Sequence, residues 1–184
     1  MLKQLINPFE KLIYDRKQVI ELIQESIQEN QNLLITYFNQ HCFNVFHADA
    51  QYRDILQSNM KYYLDGIGVY LALKILGKKD LAKFNASEVN EILFDYLVVN
   101  NKPIILIGGN FTKELISKSK LNIELYLNGY EDIGNLENCV GQIKSCQASC
   151  VIIGTGVPKQ EILAAKFHRI LNSSQIICVG NFLE

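Results

Sequence analysis

The run Ile104-Ile105-Leu106-Ile107, followed at once by Gly108-Gly109, restricts the fold more than any other stretch. A strand without a polar side chain has no face to give to water, so both of its faces must be covered. Parallel strands meet that demand, because each return to the sheet runs through a helix that lies on one face. The rest of the chain keeps the same alternation. Leu33 to Phe38, Leu121 to Leu127, Cys150 to Ile153 and Gln175 to Val179 read as further strands, with helix-period segments between them. The fold class read from this is α/β: a Rossmann-like, largely parallel sheet with helices on both faces. No linker, internal repeat or low-complexity tract interrupts the 184 residues, so residues 1–184 are read as one domain.

Such sheets bind ligands beyond the carboxyl ends of their strands, and candidate residues are sought there. Tyr62-Tyr63-Leu64-Asp65-Gly66-Ile67-Gly68 reads as a strand, a tight turn and the start of a helix that closes at Gly77. Asp65 stands at that edge, either as a group that does chemistry or as the cap of the following helix, and one role does not exclude the other. Thr36 and Asn39 end the strand before it, as site residues or as an ordinary strand threonine and turn asparagine. Gly154-Thr155-Gly156-Val157-Pro158-Lys159-Gln160-Glu161 ends a later strand. Glycines let backbone amides approach a ligand, proline suits the first turn of a helix, and a helix start favours anions. Lys159 opposes the helix dipole there; a bound phosphate would resolve the conflict, and so would exposure to solvent. Elsewhere Asp15-Arg16-Lys17-Gln18 opens a helix with Val19, Leu22, Ile23 and Ile27 on its apolar face. Further helices are expected around Ala50 to Gln57, from a Ser87 cap to about Asn100, from Phe111, and from Gly134 to Cys146.

Composition removes several classes of function. A formal net charge of −1 gives no basic field for nucleic acid, and none is expected as a partner. No apolar run is long enough to span a bilayer, and the start lacks a secretory signal, so the chain is read as cytoplasmic. The cysteines (Cys42, Cys139, Cys146, Cys150, Cys178) lack metal-ligand spacing and read as packed thiols; no metal and no cofactor is expected. His41 and Cys42, taken as neighbours on a strand, point to opposite faces and cannot form a catalytic pair. Neither Gly66-Ile67-Gly68 nor Gly154-Thr155-Gly156 carries the third glycine of a dinucleotide fingerprint. The P-loop, the hydrolase nucleophile elbow and the Asp-x-Asp diphosphate clamp are also absent from the sequence. A nucleotide sugar would therefore be held by amides and side chains.

Thr36-Tyr37-Phe38-Asn39, Leu64-Asp65-Gly66-Ile67-Gly68-Val69, Ile107-Gly108-Gly109, Asn128-Gly129-Tyr130, the Gly154 to Glu161 block and Val179-Gly180-Asn181-Phe182-Leu183-Glu184 occur in one order. Together they resemble the WecG/TagA/CpsF family of bacterial glycosyltransferases, from about Ile35 to the end of the chain. The resemblance implies transfer of an N-acetylmannosamine-type sugar from a UDP-sugar donor to a polyprenyl-diphosphate-linked sugar acceptor, at the inner face of the cell membrane. It implies Asp65 as general base, with Thr36, Asn39 and Gln160 around the sugar and diphosphate. It further assigns Lys83, Gly108, Gly109, Gly154, Thr155, Gly156 and Lys159 to the nucleotide sugar, and Tyr130 and Glu184 to the nucleotide base. Lys83 stands where the family usually has arginine, which removes bidentate phosphate recognition. Family members also continue past the position of Glu184 into a basic, amphipathic tail, and the expectation is a core without one.

The local basic clusters, Lys78-Lys79 and Lys118-Ser119-Lys120, are small when each charge is worth about 1 kcal/mol near an anionic surface. Weak attachment to a membrane surface is therefore expected, and a homo-oligomer is left open. Two alternatives stand beside the transferase: a non-catalytic nucleotide- or partner-binding domain, and an oxidoreductase on a Rossmann-like sheet.

Overall fold

The computed structural model describes residues 7–79, 81–109, 111–129, 131–132, 136–171 and 174–183. The strands are β1 (Leu12–Ile13), β2 (Leu33–Phe38), β3 (Lys61–Leu64), β4 (Pro103–Gly108), β5 (Asn122–Leu127), β6 (Cys150–Gly154) and β7 (Gln175–Cys178). They form one seven-stranded sheet in the order β1-β3-β2-β7-β6-β4-β5, and every pairing is parallel. The helices are α1 (Arg16–Gln28), α2 (Gln40–Ala48), α3 (Ala50–Ser58), α4 (Gly66–Ile75), α5 (Ala86–Val99), α6 (Lys113–Lys118), α7 (Leu136–Ser145) and α8 (Lys159–Leu171). In β4, Ile104, Ile105, Leu106 and Ile107 are all buried, as a strand covered on both faces requires. α1 packs on α5, while α3 and α7 pack on α8. Right-handed crossovers put these two groups on opposite faces of the sheet.

Local chemistry explains where the helices start. Asp15 opens α1 by accepting from the Lys17 amide at 2.9 Å, and Val19, Ile23 and Ile27 turn inward. α5 begins two residues earlier than a Ser87 cap would allow. Asn85 is its cap, accepting from the Glu88 amide at 2.9 Å, while Asn85 Nδ2 donates to the Glu88 carboxylate at 3.0 Å. That reciprocal pair satisfies two groups at once, which a serine inside the first turn does not. Ser87 is exposed.

α2 is absent from the sequence reading. Asn39-Gln40-His41 looks like a polar strand end, yet Asn39 caps α2 through its Oδ1 and the Cys42 amide at 3.0 Å. Asp49 alone separates α2 from α3, ending one and capping the other through the Tyr52 amide at 3.1 Å. His41 and Cys42 are thus neighbours on a helix and not on a strand. Adjacent helical side chains also diverge, and here Cys42 is buried while His41 is exposed. β1 was missed as well, since two residues carry no period.

All five cysteines are free. Burial pushes the Cys42 and Cys150 thiols up to about 12, so at neutral pH they stay protonated and unreactive. Among the described residues, no helix is long and apolar enough to cross a membrane.

Two places on the carboxyl edge join strands whose outgoing connections leave in opposite directions. β2 leads to β3, whereas β3 leads back across the sheet to β4; β4 leads outward to β5, whereas β6 leads to β7. Such switch points leave a crevice above the strand ends. Asn39 and Asp65 stand at the first, and Gly108, Gly109, Gly154, Thr155 and Gly156 at the second.

Candidate active site

The first switch point holds Asp65. It occupies the cap position of α4, but its side chain makes no capping bond. Gly66 takes φ +75°, a conformation that favours glycine. The Asp65 carboxylate instead accepts from Asn39 Nδ2 at 3.0 Å on one oxygen and from the Ala86 amide at 2.8 Å on the other. Asn39 ends β2, Asp65 ends β3 and Ala86 starts α5, so the carboxylate ties three elements at one point. A carboxylate has about four acceptor positions, and these two donors orient it while leaving room for a third.

Around it lies a cleft of about 240 Å³, lined by Tyr37, Asn39, Asp65, Ala86, Ser87, Asn90, Val179, Gly180, Asn181 and Phe182. Asn90 is a cleft residue that sequence reasoning missed. It is buried, donates to the Val179 carbonyl at 3.2 Å, and its Oδ1 has no protein partner. A buried acceptor of this kind is open to a donor from water or from a ligand in the cleft. Its signal in the sequence is a polar side chain on the stripe Ala86, Asn90, Leu93, Leu97, otherwise the apolar face of α5. Phe182 stacks on Phe94 at 5.6 Å between ring centres and stays partly exposed at the rim. Two other cavities open among residues at the strand starts, one beside Leu34 and one beside Cys150 and Gln175. They lie at the amino edge, away from these groups, and the carboxyl edge is the one on which such sheets bind ligands.

Thr36 and Gln160 do not line this cleft. Both are fully buried beneath it, around an equally buried Glu161. Thr36 Oγ1 donates to Glu161 Oε1 at 2.7 Å, and Gln160 Nε2 donates to the same oxygen at 2.8 Å. Gln160 Oε1 in turn accepts from the Gly180 amide at 3.0 Å. Burial pushes the Glu161 carboxyl up to about 7, opposed by the hydrogen bonds from Thr36 and Gln160. The Tyr37 phenol is raised as well, first by burial and then by the nearby Cys42.

The second switch point gathers the glycines. A side chain at Gly108 would meet the Gly154 carbonyl oxygen at 2.4 Å, and one at Gly129 would meet Thr155 Cγ2 at 2.3 Å. Both glycines therefore let the ends of β4, β5 and β6 close on one another. At Gly109 a side chain would strike the Phe111 ring. Gly156 is more open, with only Asn181 Oδ1 near, at 3.3 Å. Thr155 is buried, and its Oγ1 has no protein partner. Lys159 Nζ donates to the Gly129 carbonyl at 2.8 Å, so it links the start of α8 to the end of β5. Lys83 is exposed between α4 and α5, outside the cleft lining. Tyr130 and Glu184 lie outside the described residues, as does the predicted helix start at Gly134. Among the described residues, no cluster of histidine, cysteine and carboxylate side chains is arranged to hold a metal ion.

A parallel sheet with an oriented carboxylate at one switch point and a glycine-lined helix start at another can bind a ligand at the first and an anion at the second. The sequence matches the family described as Glycosyl transferase WecG/TagA/CpsF over residues 7–184, and the chain belongs to that family. It is a glycosyltransferase, an enzyme of cell-wall or polysaccharide synthesis that transfers a sugar from a nucleotide-sugar donor to a lipid-linked acceptor. A search of curated proteins gave no match to the sequence.

Proposed function

We propose that the chain, acting as one domain at the inner face of the cell membrane, moves an N-acetylmannosamine-type hexose from UDP to a polyprenyl-diphosphate-linked sugar. The observation that carries this reading is the Asp65 carboxylate. It stands where a cap would stand, does not cap, and is aimed by Asn39 and the Ala86 amide at the cleft. In the reaction, Asp65 takes the proton from the acceptor hydroxyl as that oxygen bonds to the anomeric carbon. The bond from the anomeric carbon to UDP breaks in the same displacement, and UDP leaves with the electron pair, inverting the sugar. Backbone amides of the Gly154 to Lys159 turn receive the departing diphosphate, with Lys159 as counter-charge, although Pro158 supplies no amide there. Asn90 Oδ1 is the acceptor for a donor group of the bound sugar nucleotide. Thr36 and Gln160 act on the site from below, by holding Glu161 and the Gly180 amide.

The test is a turnover assay with a panel of UDP-sugars and a lipid-diphosphate-sugar acceptor, run beside calorimetry with UDP. Asp65→Asn is expected to keep the fold and UDP binding and to lose about two or more orders of magnitude in transfer. Full transfer by that variant would remove Asp65 from the chemistry. UDP binding without turnover of any sugar by the unaltered chain would remove the proposed donor and acceptor.

A further inference from the structure

The helix that starts at Asp65 leaves an apolar face uncovered. At 100° per residue, Ile67, Leu71 and Ile75 fall on one side of α4, opposite the buried Val69 and Leu73. Ile67 and Leu71 are each 51% exposed, Ile75 is 86% exposed, and Leu76 just beyond the helix is 60% exposed. Single exposed apolar residues need no explanation, but a contiguous row marks a contact surface. Cations frame it. Lys74, Lys78 and Lys79 are exposed, and the segment carries no acidic side chain between Asp65 and Asp80 at its two ends. Lys74 lies over the Tyr70 ring and Lys78 over the Tyr14 ring, each at 5.7 Å, so both ammonium groups stay close to apolar surface.

We infer that this face of α4 docks on an anionic lipid bilayer, with Ile67, Leu71, Ile75 and Leu76 in the interface and the lysines among lipid head groups. The charge decides between lipid and a second copy of the chain. A symmetric pairing of two such faces would bring six lysines together with no acidic residue of residues 66–79 between them, whereas an anionic surface is complementary to them. The sequence reading found too few apolar and basic residues for membrane contact. It counted Lys78-Lys79 and Lys118-Ser119-Lys120 as charge clusters, without Lys74 and without the apolar residues beside them, whereas in the folded chain α4 packs with one side only and leaves both on the surface. An interfacial helix of this composition binds reversibly, through apolar burial plus charge. Its position also has a purpose. The docked helix begins beside the proposed base, so a lipid-linked acceptor would meet Asp65 at the membrane surface. That purpose rests on the transferase reading above; the docking itself does not.

The experiment is vesicle co-sedimentation of the full chain, with vesicles of phosphatidylglycerol and phosphatidylcholine in equal parts and with phosphatidylcholine alone, neither carrying acceptor. The chain is expected to bind the anionic vesicles and to bind the neutral ones about tenfold or more weaker, from roughly fivefold per lysine discounted for incomplete contact. Leu71→Glu/Ile75→Glu and the milder Leu71→Ser/Ile75→Ser are expected to lower binding to anionic vesicles about tenfold or more without moving the thermal midpoint, because both positions are exposed. Unchanged vesicle binding in these pairs, or no preference for anionic lipid, would overturn the inference. So would a dimer in lipid-free solution that both pairs dissociate, since a second copy would then cover the stripe. Transfer to a water-soluble acceptor by the same variants tests the transferase separately, so failure at the membrane and failure in the chemistry read differently.

Discussion

Glu161 is the residue whose environment differs most from what its neighbours in sequence indicate. As the last member of the Pro-Lys-Gln-Glu block it sits in the first turn of a helix, where carboxylates are normally solvated. Here it is fully buried, with two donors on one oxygen and no partner on the other. Its carboxyl is raised from an ordinary 4.5 to about 7, so between these values the folded protein holds a proton that the unfolded chain has released. The contribution to stability is fully present below about pH 4.5 and is lost as the pH rises through about 7, by on the order of 3 kcal/mol in all. Glu161→Gln keeps an acceptor for Thr36 and Gln160 and cannot ionise. Urea unfolding at pH 5 and pH 8 should therefore show a fall in the unaltered chain that the variant lacks, and equal slopes for the two would disprove it. Asp65 was legible from its neighbours because a carboxylate before two glycines at a strand end has few roles. Its choice between cap and site was not, because that choice depends on Asn39 and Ala86, which are far from it in sequence.

At the level of elements, long periodic segments read correctly and short or densely joined ones did not. β4 and α1 follow from unbroken apolar runs and a strong cap, and α3 lies where it was expected, whereas the short α2 starts on the polar Asn39-Gln40-His41 and ends one residue before α3, so no break in the sequence announces it. The start of α5 shows why a cap is hard to assign from residue type alone. Asn85 and Ser87 are both good capping types, and the tie is broken by Glu88, whose amide and carboxylate both face Asn85. Asn85→Ala should cost about 1 kcal/mol of stability, while Ser87→Ala should stay within about 0.5 kcal/mol. The first change should also lower transfer, because the adjacent Ala86 amide orients the Asp65 carboxylate. Chemical denaturation of both variants, with transfer rates alongside, checks this; equal costs at the two positions would restore Ser87 as the cap.

The molecule as a whole is two groups of strands joined at its centre. β1, β3 and β2 come from the part of the chain up to Leu64, β4, β5, β6 and β7 from the part after it, and the β2–β7 pairing is the seam. The buried network lies across it: Thr36 on β2, Gln160 and Glu161 on α8, and Gly180 just past β7. No local reading of the sequence brings Thr36 to Glu161, which are 125 residues apart, and the parallel order of the strands is what does so. The family resemblance implies that Gln160 touches the sugar; its burial makes it a strut between the halves that sets the turn carrying Asn181 and Phe182. Gln160→Ala separates these roles. Removing it leaves the Gly180 amide without its acceptor and takes one donor from Glu161, a loss of about 2–6 kcal/mol at roughly 1–3 kcal/mol for each buried group. The loss should be larger at pH 8 than at pH 5, because the missing donor serves the ionised carboxylate. Donor KM should rise with it, as the turn at Gly180 loses its anchor. Weakened donor binding with an unchanged unfolding free energy at both pH values would instead put Gln160 in contact with the sugar.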